Sequence, residues 1–315
     1  LCRRLRDSRL RQQRGSIVDF DPSTVDPEGS LARIGGGSIG GKGRGLAFAS
    51  RLIEAYEVRG KFEGMQVAVP SAVILATDIF DLFVDGNDLR DFALHADDDA
   101  EVAGRFRAAR FPEHAAEQLR AFLESNTDPL AVRSSSILED SRSQPFAGIY
   151  DTVLLANSEG DASARLEALL DAVKQVYAST FRQRARAYLE ATAHRLEEEK
   201  MAVVIQRLEG AEHGSRFYPD FAGVARSHNF YPTGPQKSED GIASVALGLG
   251  MFVVDGGAAL RFCPTYPQHL MQFGSPEDTL DYSQRDFYAL DLPTAVEGPE
   301  EERTAGGLRR HELSE

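Results

Sequence analysis

The chain has 315 residues, 42% of them apolar and 27% charged, the composition of a folded globular protein with material for one large domain or two smaller ones. Its formal charge of −14 argues against a general nucleic-acid binder, which needs a basic surface, but leaves room for a local anion site. No apolar run reaches the roughly 20 residues of a membrane span, and Cys2 and Cys263 lie far apart without metal-type spacing, so a reduced, cytoplasmic protein is expected.

Residues 1–30 open on the basic stretch Leu1-Cys-Arg-Arg-Leu-Arg6, which lacks the apolar segment a signal peptide requires. They then turn polar and are expected to be a linker or the end of an upstream module. The chain starts without Met and is expected to be a piece of a longer one.

Gly35-Gly-Gly-Ser-Ile-Gly-Gly-Lys-Gly-Arg-Gly45 leads into a helix with Leu46, Ala49, Leu52, Ile53 and Tyr56 on one face and Gly60 as its expected end. A glycine loop at a helix N-terminus presents N–H groups and the positive dipole end. A lysine within it adds a full charge, and the combination suits phosphate. Gly36–Lys42 has the spacing of a P-loop, yet Gly43 stands where Ser or Thr would meet magnesium. Gly35, Gly37 and Gly40 have the spacing of a dinucleotide fingerprint, yet Pro27–Ile34 is too short and polar for its buried first strand. A flexible loop with a solvated lysine is the bland local alternative.

Two strand-like runs follow, Gln66–Pro70 and Ala72–Leu75, and Thr77 is expected to cap a helix carrying Phe80, Phe83 and Val84. Residues 98–125 read as two helices. The stretch Leu130-Ala-Val-Arg-Ser-Ser-Ser-Ile-Leu-Glu-Asp140 then carries a short apolar run into an arginine and three hydroxyls, as a strand delivering a cation and donors to its edge would. Arg133 offers a planar fork matched to phosphate oxygens, and Ser134 and Ser135 add donors without bulk. The alternative is a strand end with a solvated arginine and a serine-rich turn.

Gln144–Gly148 reads as a loop ahead of the strand Tyr150–Leu155, and residues 162–192 as a long helical region whose stripe includes Leu166, Leu169, Val173, Val176, Tyr177 and Phe181. Arg182, Arg184, Arg186 and Glu197–Glu199 read as solvated charge. Met201–Leu208 should be an interior strand. Ala222–Ala225, Val245–Val254 and Leu260–Cys263 suggest others, with Gly248 and Gly250 admitting close approach of backbone or ligand. Cys263 is expected in the core. From about residue 273 the sequence turns polar and acidic, and about 20 terminal residues are expected to be poorly ordered.

Six motifs occur in a telling order: Gly40-Gly-Lys-Gly43, Ala131-Val-Arg-Ser-Ser135, Phe146-Ala-Gly148 with Asp151-Thr152, Ala178-Ser-Thr-Phe-Arg-Gln-Arg-Ala185, Met201-Ala-Val-Val-Ile-Gln206 and Ala246-Leu-Gly-Leu-Gly250. This order resembles the N-terminal ATP-binding domain of phosphoenolpyruvate synthase and pyruvate phosphate dikinase, over about residues 34–265.

The resemblance implies an α+β, ATP-grasp-like fold in which two subdomains close over a nucleotide cleft. Residues 31–200 would form the first part, 201–272 would add the strands of the second, and 273–315 would be a polar, acidic tail. It implies ATP and Mg2+ as cofactors and a phosphoryl acceptor histidine on a separate swivelling domain, in the parent chain or another protein; none of the seven histidines here suggests such a domain. Lys42 and Arg133 would act on the ATP phosphates and face one cleft. Gly40, Gly41, Gly43, Ser134, Ser135 and Gly148 would join them in binding ATP, with Gln206 on the strand entering the adenine region. Two features depart from the family's pattern: Met251 stands where an acidic residue usually follows Gly-Leu-Gly, and no glutamate strand with Gln-x-Arg-Pro follows residue 265. The metal ligands are therefore unassigned. Two functional readings stand: the ATP-binding kinase domain of a dikinase-type phosphotransferase, incomplete in this chain, and a nucleotide-responsive regulatory module without turnover.

Overall fold

The computed structural model describes residues 16–22, 31–136, 148–158, 160–190, 196, 199–254, 256–292 and 307–313. The chain divides into two compact units, with the boundary between Leu208 and Glu209.

The first unit is built on six strands: β1 (Ile17–Asp19), β2 (Leu31–Ile34), β3 (Ala72–Leu75), β4 (Leu130–Ser136), β5 (Thr152–Leu155) and β6 (Met201–Arg207), in the spatial order β1-β2-β3-β6-β4-β5. β1, β2 and β3 run parallel, whereas β6 is antiparallel to both β3 and β4, and β5 is antiparallel to β4. A strand flanked on both sides and covered on both faces must be apolar throughout. Met201–Gln206 are accordingly all buried. β6 had been expected to open the second part, but its pairing with β3 and β4 makes it the middle of the first sheet, so the division falls eight residues later than the expected one after residue 200.

Side-chain alternation gives each sheet face its own core. Val73, Leu75, Val132, Val203 and Ile205 meet the larger cluster with helices α2 (Thr77–Gly86), α4 (Asp99–Ala108), α5 (Glu113–Ser125) and α6 (Ala162–Ser179), while α3 (Leu89–His95) lies between α2 and α4 in sequence. The centre of this cluster is aromatic: Phe83 packs 5.8 Å from Phe106, 5.8 Å from Phe111 and 5.5 Å from Tyr177 between ring centroids. Ala72, Ile74, Ala202 and Val204 face the other way, toward Ile39 and the Leu46, Ala47, Ala49 and Ile53 side of α1 (Gly40–Ala55).

Several boundaries differ from expectation for local reasons. Gln66–Pro70 forms no strand, and α1 stops at Ala55 rather than Gly60, with Glu57 in the left-handed region. The long helical region breaks at Thr180–Arg182 into α6 and α7 (Gln183–Glu190); residues 191–195 lie outside the described ones. The charges there are not simply solvated. Arg182 pairs with Asp151 at 2.7 Å, Arg186 donates to the carbonyls of Ala93, Leu94 and Phe181, and Glu199 is buried and accepts from Tyr150 OH at 3.2 Å.

The second unit contains two antiparallel sheets. One has the order β11-β10-β9, from β9 (Phe221–Arg226), β10 (Ile242–Leu247) and β11 (Leu260–Phe262); the other runs β13-β12-β8-β7, from β7 (Ala211–His213), β8 (Arg216–Tyr218), β12 (Asp286–Asp291) and β13 (Leu308–Glu312). Val245–Val254 is not one strand: β10 ends at Leu247 and Met251–Val254 form the single turn α8. Gly248 takes φ +74° against β12, where a Cβ would stand 2.7 Å from the Tyr288 carbonyl oxygen, so the close approach foreseen there is one of backbone to backbone. Cys263 is buried as expected, and Pro276–Tyr282 form α9.

The polar tail also departs from expectation, because residues 307–313 are described and contain a strand. Its charges are cross-strand pairs: Arg309 and His311 both reach Asp291, at 3.1 and 3.0 Å, and Arg310 pairs with Asp286. Leu308 and its register partner Leu290 are buried on one face of the pair, and Phe287 on the other.

Truncating Phe83 to Ala should cost about 3–5 kcal/mol, because three aromatic neighbours cannot collapse into the space. Phe48→Ala, at a site 64% exposed, should change stability by less than about 0.5 kcal/mol. Denaturant titration of both variants checks this, with unchanged slope and a displaced midpoint for Phe83→Ala alone.

Candidate functional site

The site is assembled where β2 turns into α1. After Ile34 the backbone swings through Gly35, at φ +95°, where a Cβ would collide with the Asp78 carboxylate. Asp78, in the first turn of α2, accepts from Gly36 N–H at 2.7 Å and from Gly37 N–H at 3.1 Å through its two oxygens. Thr77 adds a reciprocal pair. Its Oγ1 accepts from Ser38 N–H at 3.0 Å, and its own N–H donates to the Ser38 carbonyl at 2.9 Å. The Thr77 side chain, expected to cap α2, thus fixes the glycine loop instead. Asp78 and Thr77 together thus take the N–H groups of Gly36, Gly37 and Ser38, so an anion site at this loop would lie further along, toward the first turn of α1.

That end rests on β4. Gly40 takes φ +67°, and a Cβ there would run into the Ser135 carbonyl oxygen, so only glycine permits this approach of helix to strand. Ser135 joins the two elements through one hydroxyl, which donates to the Ile39 carbonyl at 2.8 Å and accepts from Gly43 N–H at 3.0 Å. Lys42 reaches across to Ser134, with Nζ donating to Oγ at 3.0 Å. No acidic residue lies in the first turn of α1, leaving the dipole's positive end and a lysine together on buried serines.

Arg133 shares the strand face of Ala131 and Ser135, the face that α1 covers, because its register partner is Val204 while Ala131 pairs with Gln206. Its Nη1 donates to Gln206 Oε1 at 3.4 Å, and Gln206 Nε2 donates to the Pro70 carbonyl at 3.4 Å. Gln206, expected on the strand entering the adenine region, thus lies between the arginine and the Pro70 carbonyl. Gly41 and Gly43 are buried in the first turn beside Lys42.

Gly148 is placed differently. It has φ +77° just before β5, and its nearest neighbour, 3.5 Å from where a Cβ would stand, is Arg184 Nη2 in α7. Phe146 and Ala147 lie outside the described residues. Two of the ordered motifs do meet here, since the Asp151 carboxylate takes Arg182 at 2.7 Å and Gln175 at 3.1 Å. Sequence reasoning missed Thr77 and Asp78, for a threonine and an aspartate opening a helix look like ordinary N-terminal residues. Only their contact with a loop about forty positions earlier distinguishes them.

A family model described as pyruvate phosphate dikinase, AMP/ATP-binding domain, matches residues 37–274. Among curated proteins, the chain is 26% identical over 246 residues to one from Bacillus subtilis (strain 168) named "Uncharacterized phosphotransferase YvkC". The aligned region covers 76% of this chain and 25% of that protein, so the chain spans about a quarter of the length of the curated relative it matches.

Gly40→Ala must force the first turn of α1 off β4 and should lower stability by about 1–3 kcal/mol. Gly45→Ala, five residues along the helix where a Cβ meets nothing within 4 Å, should instead be neutral or stabilising by up to about 1 kcal/mol. Thermal melts of the two variants provide the comparison, and equal losses would contradict the close-approach argument.

Proposed function

Since the chain belongs to the family of the pyruvate phosphate dikinase AMP/ATP-binding domain, we propose that it binds ATP by seating the phosphates against Ser38–Gly43 and the Arg133 end of β4. The observation that carries this reading is the junction itself. A glycine-rich helix start with a lysine is fastened through Ser135 and Ser134 to the strand that bears Arg133. Nothing in helix or strand formation requires a lysine at the positive end of a helix dipole to lie beside a strand arginine, and a phosphate there would gain from both.

In this reading Lys42 neutralises phosphate charge as a point cation, Arg133 presents its fork, and Gln206 holds the guanidinium. Phosphoryl transfer asks little covalent help of a protein beyond positioning and charge stabilisation. The acceptor we propose is a histidine on a separate domain: a ring nitrogen forms the bond to phosphorus as the bond from that phosphorus to the leaving phosphate oxygen breaks. Mg2+ is proposed as a companion of the phosphates. Among the described residues no group of three or more His, Cys, Asp or Glu side chains is placed to hold a metal ion, and no step here runs through one. No helix among them is long and apolar enough to cross a membrane.

A regulatory module without turnover is the second reading, favoured by Met251, which opens α8 directly after Gly250 in place of the usual acid. The two readings agree on binding and differ on transfer. Labelled ATP given to the longer parent protein should yield acid-labile phosphohistidine under the first reading and none under the second.

ATP at 100 times its dissociation constant should stabilise the chain by roughly 2.7 kcal/mol, a rise of several degrees in Tm. Lys42→Ala and Arg133→Ala should each lose most of that rise relative to their own ligand-free Tm, which for Lys42→Ala falls slightly with its Ser134 bond. Unmodified protein that shows no rise with ATP, with or without Mg2+, would contradict the binding proposal.

A further inference from the structure

Arg44 lies one residue beyond the Gly40–Gly43 turn, and no reading of the motifs assigns it a role. Helical side chains lean toward the helix N-terminus, so a long side chain at the fifth position of α1 comes back over the first turn. Its Nη2 donates to Ser38 Oγ at 2.9 Å, and the same oxygen accepts from Gly40 N–H at 3.2 Å. The guanidinium is therefore one hydroxyl away from the first backbone donor of the helix. The Arg44 side chain is exposed, and among the described residues Ser38 is its one hydrogen-bond partner, which leaves most of its five donors facing outward.

A cation at this position gains nothing from the helix dipole, whose positive end lies there. Arg44 and Lys42 both stand at the positive end of a helix dipole, and the first turn of α1 carries no acid. Among the described residues, the carboxylate that the loop engages, Asp78, is committed to Gly36 and Gly37 N–H at the loop's opposite end. A cation held back over such a turn by a hydroxyl gains from a multiply charged anion seated there.

We propose that Arg44 is a phosphate-binding residue: a third cation which, with Lys42 and Arg133, recognises a polyphosphate chain. The inference rests on the ATP-binding reading above. Ser38 pre-orients the guanidinium, and the fork then takes phosphate oxygens that a single ammonium would bind less specifically.

Calorimetric titration of the full chain with ATP and with inorganic tripolyphosphate, at two salt concentrations, tests this. Arg44→Ala should weaken both about tenfold and flatten the salt dependence, with an unchanged ligand-free Tm. Arg44→Gln, which keeps the length of the stem, guards against a folding effect, and Arg44→Lys should recover part of the loss. Wild-type affinity for both ligands in Arg44→Ala and Arg44→Gln overturns the role of Arg44 and leaves the ATP reading standing. Wild-type protein that binds tripolyphosphate but not ATP overturns the nucleotide reading, while Arg44 is still judged on tripolyphosphate. Wild-type protein that binds neither overturns both.

Discussion

The site depends on one close approach, that of the first turn of α1 to the backbone of β4 at Ser135. Gly40 permits it, the Ser135 hydroxyl fastens it from both sides, and Asp78 with Thr77 sets the angle at which the loop arrives. All three depend on the sheet beneath. β4 can present Arg133 and its serines there because β6, apolar from Met201 to Ile205, fills the space between β4 and β3 and locks their register. A one-residue slip of β4 would carry Arg133 to the aromatic core and Val132 to α1.

Charge is distributed to match. The chain as a whole is strongly acidic, yet cations gather where α1 meets β4 and the Asp78 carboxylate, from the first turn of α2, is spent on the loop's backbone N–H groups. An acidic surface around a local cationic site does little to retain polyanions elsewhere, which favours a compact phosphate ligand over a nucleic acid. The arginines in and just before α7 show the opposite use of the same residue type. Arg186 sits on the last carbonyls of α3 and Arg182 on Asp151, so these cations hold elements together.

Legibility in the sequence followed the range of the interactions. The interior strand at Met201, the helix after the glycine loop and the strand carrying Arg133 were readable because each rests on a local run of apolar residues or glycines. Asp78 was not, since its bonds to Gly36 and Gly37 bridge more than forty positions. Nor was the division after Leu208, which is set by which strands β6 pairs with and leaves no mark in composition. β12 and β13 were hidden for another reason: Asp286 and Asp291 at the ends of β12 and the consecutive Arg309, Arg310 and His311 of β13 look like a solvated tail until their cross-strand pairs are seen.

The central claim, that phosphate binds at the start of α1 where it rests on β4, is tested most directly at the backbone amides. Titrating ATP into isotopically labelled protein and following amide resonances should produce saturable shifts at Gly40, Gly41, Lys42 and Gly43, and at Arg133 and Ser134. Gly36 and Gly37, at the Asp78 end of the loop, should move less. Saturable binding that leaves residues 40–43 unmoved and shifts only amides away from β4 would contradict the account.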